Sequence, residues 1–226
     1  MKHWLRGTWA VLRKDLRLEL RSRYVLNALL VFVLSALLVV ALAAGADSVD
    51  TRIQAGLLWI VILFTASLGL GRAFVVEEEC NTALLLRLHT TGSMVYTGKL
   101  AYSFLSVLTV NGVLVMAFLV LLSVEVAHAG LLVVTLALGT LGLSGATTLL
   151  AAIIARTARS GPLLPMLLFP LLMPLLLAAV EATHLSLTGS VAGAWNAAAS
   201  ALAAMTGFTG VVISASVLLF DHVWHD

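Results

Sequence analysis

Long apolar runs alternate with short polar connections along the chain, and six of the runs are long enough to cross a bilayer. They fall near 24–46, 54–76, 97–122, 130–155, 163–181 and 196–220. A helix needs about 20 apolar residues to cross roughly 30 Å of hydrocarbon. Backbone amides in lipid must be bonded within the segment, which makes helix the default. A membrane β-barrel would need alternating apolar and polar positions. The runs Ala28–Leu34 and Leu131–Leu138 do not alternate. The expected fold class is therefore all-α, a polytopic membrane protein with six transmembrane helices in a single domain over 1–226. Ahead of the first run, Leu5, Trp9, Leu12, Leu16 and Leu20 recur at helical spacing, while Arg6, Arg13, Arg17 and Arg21 fall on other faces. This predicts an amphipathic helix over 1–23 lying in the cytoplasmic interface, with Trp4 and Trp9 at headgroup depth and its basic side on anionic lipid.

Composition strengthens this picture. Hydrophobic residues make up 61% of the 226-residue chain and charged residues 11%, against about 45–50% and 25% in soluble domains. A soluble fold of this size has too much surface to hide so much apolar side chain. The single cysteine, Cys80, excludes an internal disulfide framework and a cysteine-based metal site. Charge placement sets the orientation. Seven of the thirteen Lys and Arg precede the first run, Arg72, Arg87 and Lys99 flank the loop after the second, and Arg156 and Arg159 follow the fourth. Only Arg52 falls on the other side, with Asp47, Asp50, Glu125 and Glu181. Cytoplasmic loops carry the excess of Lys and Arg, so both termini are expected in the cytoplasm and the protein in a bacterial inner membrane. Ala41-Leu42-Ala43 resembles a signal cleavage site, but the run and the segment before it are too long for a secretory signal. No loop is long enough for a soluble domain, so soluble catalytic work falls to a partner.

Two segments stand out as functional candidates. After the second span, Glu77, Glu78 and Glu79 lead into a short helix capped by Asn81 or Thr82, whose Leu84, Leu85 and Leu88 form one apolar stripe. Carboxylates before a helix N-terminus are favoured by its dipole, and an Asn or Thr side chain accepts from the orphan amides. A leucine stripe with no soluble core to enter suits the docking of a partner, and the loop 77–96 is expected to serve as that contact. The fifth span holds all four prolines, Pro162, Pro165, Pro170 and Pro174. Each removes an amide and clashes with the preceding turn, so this span is expected to kink or break and to lie at an interface or a pathway. Gly139, Gly142, Gly145 and Ala146, and the run Ala197–Ala204 with Gly207 and Gly210, read as close-packing faces.

Catalytic and metal constellations are not expected. His128 and His184 share the outer side but are a hairpin of spans apart, and Met116, Met166, Met173 and Met205 suit lipid or core. Glu181 lies at the outer membrane boundary. The stretch Gly92 to Leu100 approaches a phosphate-binding loop, but five residues separate its glycines, Leu100 follows the lysine, and no strand precedes it. Lys99 instead marks the cytoplasmic start of the third span.

These segments in order resemble the CcmB family of haem exporter subunits in cytochrome c maturation. The resemblance runs through the basic stretch Leu12–Arg21, Gly56-Leu57-Leu58-Trp59, the loop from Arg72 to Leu88, Lys99, Leu138-Gly139-Thr140 and the proline-rich 164–174. Asn81 stands where the family usually has glycine, and His89-Thr90 where it usually has proline. The resemblance implies a permease subunit of an ATP-binding cassette (ABC) complex, working as a homodimer with a CcmA-like ATPase. It further implies CcmC-like and CcmD-like membrane neighbours and a CcmE-like haem chaperone. Haem is then a possible substrate, ATP is bound only through the ATPase, and no nucleic acid is involved. Two other classes fit the composition: a structural assembly subunit, and a self-contained secondary transporter, which would carry buried ionisable residues mid-span or paired repeats.

Overall fold

A computed structural model describes residues 2–22, 24–44, 49–70, 91–154, 160–188 and 193–225. Among them the chain forms seven helices and no strand: α1 (Lys2–Ser22), α2 (Tyr24–Ala44), α3 (Thr51–Leu70), α4 (Gly92–Leu121), α5 (Ala129–Ile154), α6 (Ser160–Leu187) and α7 (Ala194–His225). Five stretches, in α3 to α7, are long and apolar enough to cross a membrane, and α2 contributes a shorter apolar helix, Asn27–Ala43.

The centre of the bundle is α5, which packs against α3, α4, α6 and α7. Gly142 through Thr148 are all buried, so two turns of this helix are enclosed on every side. Glycine makes this possible. A Cβ on Gly139 would overlap the indole ring of Trp59, and one on Gly142 would lie 2.9 Å from Leu175 Cδ2 and 2.7 Å from Thr209 Oγ1. Lipid gives helices little hydrophobic reason to associate, so close backbone approach supplies the contact instead. The glycines of α7 differ: nothing lies within 4 Å of a Cβ on Gly207 or Gly210. Its inner face is Ala198, Ala201 and Met205, and the expected small-residue face at Gly207 and Gly210 points outward.

Connections at one end of the bundle are tight. After α4, Ser123 takes a left-handed φ of 50° while Val124 N–H donates to Leu119 C=O and Ser123 N–H to Val120 C=O. These are the paired bonds that close a helix C-terminus. Gly193, at φ 90°, turns the chain into α7, a conformation glycine adopts without strain.

Two boundaries and one expected break stand out against expectation. The third apolar helix begins at Gly92 rather than 97, because Met94, Val95 and Tyr96 bury apolar surface in its first turns. At 30 residues it is about 45 Å long, longer than the hydrocarbon it crosses. The fifth span does not break: α6 runs as continuous helix through all four prolines and on to Leu187, beyond the expected end at 181. Pro162 lies in the first turn, where a missing amide costs no bond. Pro170 and Pro174 are exposed on the outer face, where their rings meet no neighbouring helix.

Candidate functional site

The docking residues expected from the sequence, Glu77, Glu78, Glu79, Leu84, Leu85 and Leu88, lie outside the described residues, as does Cys80. The described chain resumes at Thr91 and enters α4 directly. The described residues form the helix end that this segment feeds, the buried polar seam above it, and the far end of the bundle.

At the α4 end, α1 packs along the first turns of α4. Trp4 Nε1–H donates to Ser93 Oγ at 3.3 Å. A Cβ on Gly98 would lie 2.8 Å from Val11 Cβ, so the two backbones are nearly in contact. Lys99 and Asp15 then form an ion pair at 3.4 Å with side-chain exposures of 1% and 9%. Lys14 reaches the same carboxylate at 3.3 Å. One turn on, Tyr102 O–H donates to Glu19 Oε2 at 3.1 Å. The sequence sets Lys99 at the cytoplasmic start of the third span. The structure puts it two turns inside the helix and seals it under α1.

This seam also redefines α1. Its packed face is Gly7, Thr8, Val11, Asp15 and Glu19, a small and acidic set. Of the expected apolar stripe, Leu5, Trp9 and Leu16 are exposed and Leu12 is half-buried, and Arg6, Arg13 and Arg17 are exposed as well. Asp15 and Glu19, four residues apart in a basic helix, were the signal for the second face. Their partners are more than eighty residues away, which no local pattern reveals.

Through the middle run buried uncharged polar side chains. Asn111 Nδ2 donates to Thr140 Oγ1 at 3.0 Å, and Thr148 Oγ1 to Ser103 Oγ at 3.3 Å. Asn111 Oδ1, Thr135 Oγ1, Ser144 Oγ and Thr209 Oγ1 are buried without a partner among the described residues. The two bonded pairs tie α4 to α5 at modest strength.

At the far end, α3 and α6 are tied by three contacts. Arg52 pairs with Glu181 at 2.7 Å, Thr51 Oγ1 meets His184 Nδ1 at 3.0 Å, and Trp59 Nε1–H donates to Thr183 Oγ1 at 2.9 Å. His128 N–H donates to Ser186 C=O, which draws the α5 start to the same corner. Sequence spacing keeps His128 and His184 a hairpin of spans apart, and the fold brings the His128 amide to Ser186, two residues after His184. Among the described residues no group of three or more His, Cys, Asp or Glu could hold a metal ion.

On α6, Pro170 and Pro174 sit one turn apart with Met166, Met173 and Leu177 on an exposed face. A proline cannot donate to the carbonyl four residues back. The carbonyls of Met166 and Pro170 therefore lack their usual helical donor, on a face that plain lipid would leave dry. This favours protein or water over acyl chains at that surface.

Comparison with known proteins follows the same outline. The family model described as CcmB protein matches residues 6–219. A curated relative, "Heme exporter protein B" of Rhodobacter capsulatus, is 32% identical over 177 residues, covering 76% of this chain and 80% of the relative.

Proposed function

The chain belongs to the CcmB protein family, and from that premise we propose that it is the membrane permease subunit of an ABC-type complex in cytochrome c maturation. It couples ATP hydrolysis by a separate CcmA-like ATPase to haem export or release of a haem chaperone. The observation that carries this reading is the family match over nearly the whole of a helical membrane bundle. The haem assignment comes from the relative's name.

In this reading residues 77–88 dock on the ATPase through Leu84, Leu85 and Leu88. Each leucine that becomes fully buried contributes roughly 1.5–3 kcal/mol, offset in part by the cost of association. Glu77, Glu78 and Glu79 meet a basic rim, an attraction that salt weakens. All six apolar helices cross the inner membrane, both termini are cytoplasmic, and α1 rests its exposed Trp9, Leu5 and arginines on the cytoplasmic leaflet. Two copies form a two-fold pair to match two ATPase subunits. The exposed proline face of α6 and the outward glycines of α7 are its candidate surfaces. CcmC-like, CcmD-like and CcmE-like proteins complete the assembly.

Co-purification tests the reading. The tagged chain, solubilised with the ATPase co-expressed, is expected to retain the ATPase at a one-to-one ratio. A chain that is well inserted but recovers no ATPase would remove the basis for an ABC subunit and favour a scaffold.

A further inference from the structure

We propose that Asp15 and Lys99 are positioning residues that fasten α1 to α4 so the two helices move as one body in the ATP-driven step. The proposal rests on the reading of residues 77–88 as the ATPase contact. Its own support is the seam between the helices.

Contacts along that seam rise in step on both sides: Trp4 with Ser93, Gly7 with Met94, Val11 with Gly98, Asp15 with Lys99, Glu19 with Tyr102. The helices therefore run in the same sense, and the seam covers about four turns of α1. Close packing alone would allow one helix to slide on the other. A slide of one turn, about 5.4 Å, would leave Lys99 sealed from water at 1% exposure and away from its carboxylate. Parting a buried charge from a carboxylate that faces it is costly. The pair therefore fixes register, where apolar side chains would supply adhesion only. The second carboxylate, Glu19 on Tyr102, sets the same register one turn further on.

The location gives this register a use. The segment joining α3 to α4 enters the bundle at Gly92, immediately before Ser93 and Met94, which meet Trp4 and Gly7 of α1. A push delivered there reaches α1 before it reaches the buried centre of the bundle. At its other end α1 meets α2, which packs on both α3 and α4. With α1 clamped, the push is carried to α2 instead of being absorbed at the first turns of α4.

A covalent lock distinguishes a clamp from a sliding contact. A Cβ at Gly7 lies 3.8 Å from Met94 Cβ, the mean separation in disulfides of about 3.8 Å. The full chain is assembled with its ATPase in lipid, in a Cys80→Ser background that removes the native thiol. Three forms are compared: Gly7→Cys/Met94→Cys, Asp15→Asn, and the two combined. Oxidised Gly7→Cys/Met94→Cys is expected to stimulate ATP hydrolysis as the wild type does. Asp15→Asn is expected to keep the ATPase bound but to lower stimulation by roughly two- to thirty-fold, the range seen when a coupling element is disturbed. The oxidised combination and the charge exchange Asp15→Lys/Lys99→Asp are expected to restore it. If Asp15→Asn fails to accumulate, Asp15→Leu/Lys99→Met, which removes both charges and keeps the seam filled, takes its place with the same expectation. Loss of stimulation on oxidation alone overturns the proposal, because the helices must then slide. So does full stimulation without the ion pair, or a loss that the disulfide does not repair. Failure of the wild-type chain to bind the ATPase at all would strike the functional reading instead.

Discussion

Gly139 and Glu181 show how differently single residues weigh in this bundle. A Cβ on Gly139 has nowhere to go, because the ring of Trp59 occupies its space and Trp59 is itself fixed by its bond to Thr183. Overpacking of this kind costs about 1–3 kcal/mol. Gly139→Ala is expected to lower the thermal midpoint of the detergent-solubilised protein clearly. Gly112→Ala is the control, since nothing lies within 4 Å of its Cβ. It should leave the midpoint unchanged or raise it, by up to about 0.5–1 kcal/mol of helix preference. Equal loss in both would mean that α3 and α5 are not in contact as described. Glu181 makes a shorter bond than Trp59 does, 2.7 Å to Arg52 against 2.9 Å to Thr183, but Glu181 and Arg52 are 43% and 61% exposed. Exposed pairs are worth about 0.2–1 kcal/mol, so Glu181→Gln should barely move the same midpoint.

The helices themselves were largely legible from apolar run length, since a run that must satisfy its own amides in lipid has little alternative to helix. What each helix does with its faces was less so. The prolines of α6 read as breaks because propensity counts each lost bond against the helix. Packing on α3, α5 and α7 holds the segment helical regardless, and Pro170 and Pro174 turn their rings outward. The apolar stripe of α1 was visible, but its packed face was not, because Asp15 acquires a meaning only opposite Lys99. The docking leucines lie outside the described residues, so for them the sequence remains the only guide. One prediction belongs at this scale. If a second copy covers the proline face, a cysteine at Leu177, replacing Cys80 as the only thiol, is expected to cross-link two copies in native membranes. Cross-linking at lipid-facing Val120 on α4 should be weaker. Equal yields at both, or none at Leu177, would place the dimer surface elsewhere.

Seen whole, the molecule separates its two ends. The Arg52–Glu181 pair, Thr51 with His184, and His128 against Ser186 mark one end, while the Asp15–Lys99 seam marks the other. In the proposed topology, which rests on the bias of twelve Lys and Arg against one, the Arg52 end is the outer one. Cysteines at Glu125 and Thr188 should therefore react with a membrane-impermeant thiol reagent in cells whose inner membrane is intact. Reaction only after permeabilisation would invert the layout. In the proposed function this bundle takes its drive from an ATPase held on residues 77–88. The most direct test is the ATP hydrolysis rate of the partner subunit in lipid with the wild-type chain and with Leu84→Asp/Leu88→Asp, at matched insertion. The wild type is expected to stimulate hydrolysis, and the double variant to leave it at the rate of the ATPase alone. Full stimulation by the double variant would contradict the proposed function.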